Sequence, residues 1–277
     1  MDYKVIATIL TDTEGASDPL DAAIALAARM DAHLDIHAVV VDHTSMAYDL
    51  SGMVNSAAAA QTRDALEERE KLENWLQERM RGEVIRWSLQ AAMVQSVVLG
   101  TYLVEKLRFS DLVVLGRPYQ DDPELAGLVE TCLFIVDRPV LMIPKGGSAP
   151  KPGSRVVLGW NEGTEALAAA RAALPFVRIA EETDICVIDP PARAPGQADP
   201  GSGMAQYLTR HGAKPNVAVM ARTEGDVADT LLRHARGTDA GLIVSGAYGH
   251  SRLREAVFGG TTRSLLEKAQ VPVLMAR

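Results

Sequence analysis

Cysteine is almost missing from this chain. Cys132 and Cys186 are the only two in 277 residues, far apart and without a C-x2-C partner. That excludes a disulfide framework and a cysteine-ligated zinc site, and both are expected as small buried residues. An excess of positive charge is also lacking: 28 Lys and Arg stand against 36 Asp and Glu, a formal net charge of −8. A general nucleic-acid binder, which needs a basic face to neutralise phosphates, is disfavoured. No uninterrupted apolar run has the length of a membrane span. The opening MDYKVIATIL enters a strand-like run at once, without the basic segment and cleavage site of a secretory leader, so a cytoplasmic protein is expected.

Catalytic signatures are missing too. Neither G-x4-GK-[ST] nor a strand-linked G-x-G-x-x-G occurs, and there is no G-x-S-x-G elbow. No catalytic residue is assigned. The six histidines are scattered; His33 and His37 fall on a turn and a strand rather than on one face of a zinc-binding helix, and no metal site is expected.

What is present is 47% hydrophobic and 23% charged residues, the balance of a soluble globular protein long enough for two domains. The sequence repeats itself. SDLVVLG, ending at Gly116, matches AGLIVSG, ending at Gly246; RPVLMIP around Pro139 matches VPVLMAR around Pro272. The separations are 130 and 133 positions, those of a duplicated domain. PKGGSAPKPGS, residues 144 to 154, has a linker's composition, which sets domains at 1–146 and 154–277.

In the first copy KVIATIL, HLDIHAVVVD, EVIRWSLQ and DLVVLG read as strands. Helices are expected from Asp18, from about Ala58 to Arg81 with a stripe of Leu72, Trp75, Leu76 and Met80, and from Val94 to Leu107. The second copy repeats the plan with RVVLGW, a helix from about Thr164 to Val177, TDICVID, NVAVMAR, a helix from Asp226 to Arg236, and GLIVSG. In place of the long helix stands DPPARAPGQADPGSG, read as a surface loop or a lid, followed by the short MAQYLTRHG. Strands alternating with helices indicate an α/β fold, two tandem doubly wound parallel-sheet domains.

Residues Ser245 to Thr262 join a strand end, a glycine-rich turn and a helix start. Glycines let backbone N–H groups approach a phosphate, and a helix N-terminus adds unpaired donors. Two residues separate Gly246 from Gly249 and nine separate Gly249 from Gly259, followed by the small Gly260. This resembles the G-x2-G-x9-G-small signature of the universal stress protein family. The resemblance implies the adenine-nucleotide alpha-hydrolase-like architecture, in a tandem arrangement, and ATP as the ligand, with its ribose and phosphates on the glycine segment.

Open α/β sheets bind ligands at the carboxyl ends of their strands. The expected site therefore takes Gly159, Trp160 and Asn161 after the first strand and Val187 after the second. From the glycine segment it takes Ser245, Gly246, Tyr248, Gly249, His250, Arg252, Gly259, Gly260, Thr261 and Thr262. Asn161 stands where the family usually has an Asp that meets the adenosine, and Val187 where an apolar residue lines the adenine pocket. Gly260 replaces a common Ser, so a hydroxyl contact would come from Thr261 or Thr262. Asp189 and Glu255 could assist Mg²⁺ beside the phosphates. Arg252, Arg254 and Arg263 supply local positive charge.

The first copy departs further. Tyr119 replaces the second glycine, Val129 the third with Gly127 out of register, and DDPE from Asp121 to Glu124 adds negative charge; only Asp12 matches the family's first-strand carboxylate. The first domain is thus a degenerate version. The leading reading is a stress-response sensor or regulator binding ATP in its second domain, with hydrolysis weak at most. The alternative is an interaction or dimerisation module without nucleotide, and a slow nucleotide hydrolase is the third. The family's fifth strand commonly pairs across subunits, which implies pairing of RPVLMIP with VPVLMAR as an intrachain pseudo-dimer, with a homodimer also open. Pro139 and Pro272 at the strand starts are compatible with that pairing.

Overall fold

A computed structural model describes residues 2–43, 56–118, 122–192, 198–222, 225–247 and 260–277, with the side chains of 56–58 excepted. The first half runs β1 (Val5–Leu10), α1 (Ser17–Met30), β2 (His33–Asp42), α2 (Ser56–Met80), β3 (Arg86–Gln95), α3 (Leu99–Leu107), β4 (Leu112–Gly116), α4 (Pro123–Phe134) and β5 (Val140–Ile143). The second runs β6 (Arg155–Gly159), α5 (Thr164–Ala172), α6 (Leu174–Val177), β7 (Thr183–Ile188), α7 (Ser202–Arg210), β8 (Pro215–Met220), α8 (Val227–Gly237), β9 (Ala240–Gly246), α9 (Gly260–Lys268) and β10 (Val273–Ala276).

The strands form one ten-stranded sheet in the order β3-β2-β1-β4-β5-β10-β9-β6-β7-β8. Each half contributes five strands in the same relative order, and all neighbours are parallel except at the seam. There β5 and β10 run antiparallel, with Val273 opposite Met142, Leu274 opposite Leu141 and Met275 opposite Val140. The paired RPVLMIP and VPVLMAR segments thus join the halves within one chain. Neither proline breaks the ladder, because each contributes its carbonyl: Val113 donates to Pro139 (2.9 Å) and Ile243 to Pro272 (3.0 Å).

Alternate residues of each inner strand are buried on opposite faces, as a doubly wound sheet requires. On one face Ile6, Leu34, Leu158, Ile185 and Leu274 pack under α1, α2, α5, α6 and α7; on the other Ile9, Val113, Val157, Ile243 and Met275 pack under α3, α4, α8 and α9. Both cysteines are free and buried, and burial pushes both thiols up to about 12. The stripe read on α2 holds, with Leu72, Leu76 and Met80 fully buried and Trp75 packed beside them.

Three local expectations are corrected. Val94 belongs to β3, where it pairs with Val41 and extends the parallel ladder; a 3-10 turn at Ser96–Val98 intervenes, and α3 starts only at Leu99. β-Branched residues suit that pleat better than a helix. The helix expected from Thr164 to Val177 is two helices that meet at Ala173, since Pro175 has no N–H to give the preceding turn. His33 lies within β2 rather than on a turn, paired with Val5. Among the described residues no helix is long and apolar enough to cross a membrane.

Candidate functional site

The carboxyl ends of β9, β6 and β7 lie side by side in the second half. Leu158 pairs with Val244 and Gly159 with Cys186, so Trp160 and Gly246 each lie two residues past one pair and the three strand ends finish level. Trp160 donates its backbone N–H to Cys186 (2.9 Å), carrying the ladder one step further. Asn161 is exposed, and its Oδ1 accepts from the Gly163 N–H at 3.0 Å. Gly163 is the N-cap of α5, so the Asn161 side chain shapes the turn into that helix.

Gly246 has a packing reason of its own. A Cβ there would fall 2.6 Å from the Ala166 nitrogen and 2.7 Å from the Glu165 carbonyl carbon, in the first turn of α5. The first glycine of the signature is therefore needed for β9 to finish beneath α5, whatever binds above. Ser245 is buried beside it and its Oγ donates to the Gly246 carbonyl at 3.1 Å. Gly159 packs against Leu231 of α8, whose Cδ1 would lie 3.1 Å from an added Cβ.

Val187 is 5% exposed. Gly201, with a φ of +81°, brings the return of the 189–203 segment onto the strands, and a Cβ there would come 3.2 Å from Val187 Cγ2 and 3.1 Å from Val217 Cγ1. That end of the segment is packed, and residues 193–197 lie outside the described residues. Asp189 does not stand ready for a cation: its Oδ1 accepts from the Arg222 N–H at 2.8 Å and its Oδ2 lies 3.4 Å from Arg222 Nε. No cluster of three or more His, Cys, Asp or Glu side chains suited to a metal occurs among the described residues.

α9 begins at Gly260, which is exposed and has no described residue within 4 Å of where a Cβ would stand, while Thr261 is half-buried and Thr262 buried. Ser264 Oγ donates to Asp226 Oδ2 (2.5 Å), and Lys268 Nζ reaches Asp229 Oδ1 (2.8 Å), fastening α9 to α8. Asp226 and Asp229 in turn form a capping box at the start of α8. Hydrogen bonding by Lys268 and by the Asp226 N–H holds the Asp229 carboxyl below its ordinary range. Arg263 pairs with Glu267 at 2.7 Å. Tyr248, Gly249, His250, Arg252, Arg254, Glu255 and Gly259 lie outside the described residues. A cavity of about 170 Å³ opens at the opposite end of β9, between α8 and α9 over Leu232, Ile243 and Val271, away from these strand ends.

The first half is built differently at the matching place. Asp12 Oδ1 accepts from the Gly15 N–H at 2.7 Å, a turn cap like that of Asn161. α4, however, starts seven residues past Gly116, whereas α9 starts fourteen past Gly246. Asp122 caps α4 by accepting from the Leu125 N–H (2.9 Å), and Val129, at the third-glycine position, is a core residue of that helix. Tyr119 and Asp121 lie outside the described residues. Arg117, next in sequence after Gly116, is 5% exposed and sends Nη1 2.6 Å from the Leu266 carbonyl of α9.

Two features were not anticipated from sequence. Arg117 stands at an unconstrained position of the glycine motif, where spacing does not single it out. Asp184 of β7 has a side chain 2% exposed, held by His234 Nε2 (2.9 Å), Asn216 Nδ2 (3.0 Å) and Arg155 Nη1 (3.5 Å). Burial alone would raise the Asp184 pKa, but the hydrogen bonds from Asn216 and His234 and the Arg155 charge bring it below the ordinary carboxylate range.

Comparison with known proteins places the chain. Residues 154–277 match the profile of the universal stress protein family. The universal stress protein Slr1230 of Synechocystis is 34% identical over 82 residues, which are 29% of this chain and 28% of that protein. The stress response protein NhaX of Bacillus subtilis is 35% identical over 54 residues, 20% of this chain and 32% of that protein. The matches span about a third of the length of these curated relatives. A crystal structure of a universal stress protein from Archaeoglobus fulgidus superposes over 100% of this chain and 97% of that one, with a TM-score of 0.70 at 13% identity, a likeness of fold. The two halves share the α/β architecture of that structure, and the second, residues 154–277, is a domain of the universal stress protein family.

Proposed function

We propose that the second domain, 154–277, binds an adenine nucleotide, ATP, at the carboxyl ends of β6, β7 and β9, and that the chain acts as a stress-response sensor or regulator. The observation that carries this reading is the complete glycine signature from Gly246 to Gly260, set between the end of β9 and the start of a helix, in a domain of this family. Backbone donors of the segment and of the α9 start would hold the phosphates; Asn161 and Val187 would face the nucleoside. The first domain, 1–146, is the degenerate partner: α4 begins too soon after Gly116 to leave room for a phosphate loop. No catalytic group is assigned, and hydrolysis is weak at most.

The reading is tested by calorimetric titration with ATP and AMP. Gly246→Val is unsuitable as the control, because its Cβ would strike α5. Gly260→Asp serves instead. No described residue stands where its side chain begins, and a carboxylate at a helix start suits the helix dipole while it repels phosphate. Wild type is expected to bind and a fully folded Gly260→Asp to lose binding; wild type without heat of binding would sink the proposal. The second reading, an interaction module without nucleotide, is favoured by one observation: packing against α5 by itself accounts for Gly246.

A further inference from the structure

The residue after the shared glycine is Arg117 in the first half and Ala247 in the second. Both are buried, and both backbones are tied to the seam: the Arg117 N–H donates to Ile143 (2.7 Å) and the Ala247 N–H to Ala276 (2.9 Å). The Ala247 methyl ends there. Arg117 continues across the β5–β10 seam and donates to the Leu266 carbonyl, 149 residues away in sequence.

Leu266 lies in the last turn of α9, where carbonyls have no partner inside the helix. The Leu265 carbonyl accepts from the Ala269 N–H at 3.1 Å, and that of Leu266 from Arg117. A guanidinium at this end also suits the partial negative charge of a helix C-terminus. α9 is nine residues long, a rod of about 13 Å at 1.5 Å per residue, so a displacement of its last turn moves its first. The first turn carries Gly260, Thr261 and Thr262.

We infer that Arg117 is a positioning residue for the nucleotide site of the other half: it fixes the C-terminal end of α9 and thereby sets where the N-terminal donors of that helix stand. This rests on the nucleotide reading above. It gives the degenerate half a role, since a residue beside its lost motif supports the intact one. The route is physical and short: one buried hydrogen bond and one rigid helix.

The experiment compares Arg117→Met, Arg117→Lys and Arg29→Met in the full chain. Arg29 is the control, because its Nη1 also makes a hydrogen bond (2.7 Å) to a distant backbone carbonyl, that of Pro150 in the linker, yet it touches no part of α9. ATP affinity is measured by calorimetry, and amide hydrogen exchange of α9 is followed without nucleotide. Arg117→Met is expected to bind ATP about ten-fold more weakly, within the usual range of coupling between sites, and to exchange the α9 amides faster. Arg117→Lys, which keeps the charge and one donor, is expected to recover part of the affinity, and Arg29→Met to bind like wild type. Equal affinity in wild type and Arg117→Met overturns the inference, and so does an equal loss in Arg29→Met. If Arg117→Met does not fold, Arg117→Lys decides, with a loss of about three-fold and faster α9 exchange expected. Wild type that takes no ATP removes the nucleotide reading itself, before any variant is measured.

Discussion

The two halves share a strand order and differ in the passage that leads from the fourth strand to the next helix. In the first, a capped α4 begins within seven residues of Gly116; in the second, fourteen residues lead from Gly246 to α9. The glycines themselves are under unequal constraint. An added Cβ at Gly116 would lie 3.4 Å from Leu125 Cδ2, an ordinary contact, whereas at Gly246 it would meet α5 backbone at 2.6 Å. Duplication therefore does not preserve the reason for a residue. One glycine fits a strand into loose surroundings, and the other lets a helix start descend onto the end of a strand beside the proposed phosphate site.

The largest expected effect tests this inequality. Gly246→Ala should destabilise by about 3 kcal/mol, the upper part of the range for overpacking against backbone that cannot yield. Gly116→Ala should stay within about 0.5 kcal/mol of wild type. Urea unfolding of both variants measures the difference, and equal losses would break the comparison.

The next effect concerns a carboxylate on the second strand of each half. Asp184 is buried and held by three partners; Asp35 in β2 has a side chain 28% exposed, with Ser88 Oγ at 2.7 Å and His33 at 3.3 Å. Removing one member of a buried charged pair costs about 3 kcal/mol, so Asp184→Ala should approach that loss, while Asp35→Ala should cost under about 1 kcal/mol. The sign of the shift sets the pH dependence. The folded pKa of Asp184 is depressed, so its contribution is fully present above the ordinary value of about 4 and is lost as pH falls through the lower folded value. Stability measured from pH 6 to pH 2 should drop more steeply in wild type than in Asp184→Asn. Parallel curves would show that Asp184 does not set the acid limb.

Much of this architecture was legible because its signals are local or repeated. Buried strands announced themselves as apolar runs, and the repeated Pro-Val-Leu-Met segments announced a duplication, while their pairing at the seam was implied by the family resemblance. The rest depended on contacts that no short window contains. Val94 read as the start of a helix, but its place beside Val41 decided in favour of the strand. Asp184 looked like any acid in TDICVID until β8 and α8 closed over it. Gly246 read as a phosphate glycine alone because the approach of α5 is set by tertiary packing, and Arg117 meets its carbonyl 149 positions away.

A smaller effect sharpens the contrast in how helix starts are secured. The first half caps α4 with Asp122; the second caps α8 with Asp226, which also receives Ser264 from α9. Loss of an N-cap costs about 1 kcal/mol, so Asp122→Ala should lose about that much, and Asp226→Ala about 2 kcal/mol, because the tether between α8 and α9 goes with it. Ser264→Ala separates the two contributions in the same unfolding measurement: it should lose only the excess.

The smallest effect on stability, and the finest test of the two halves, is Asn161→Asp. The first half already has an acid at the matching position, where Asp12 Oδ1 accepts from the Gly15 N–H. In the second half Asn161 Oδ1 accepts from the Gly163 N–H, and a carboxylate can do the same with one oxygen, so the turn into α5 survives the change. The unfolding free energy should stay within about 0.5 kcal/mol. The second atom is the one that changes: an amide that can only donate becomes an oxygen that accepts, and ribose hydroxyls are donors. Charge-assisted hydrogen bonds are stronger than neutral ones by about 1 kcal/mol, so ATP affinity in Asn161→Asp should rise about five-fold if the nucleoside lies at this strand end. Calorimetry on the folded variant reads this directly. Unchanged affinity would place the ribose elsewhere, and weakened affinity would mean that Asn161 contributes through its NH₂ as a donor, a role the Asp of the first half cannot share.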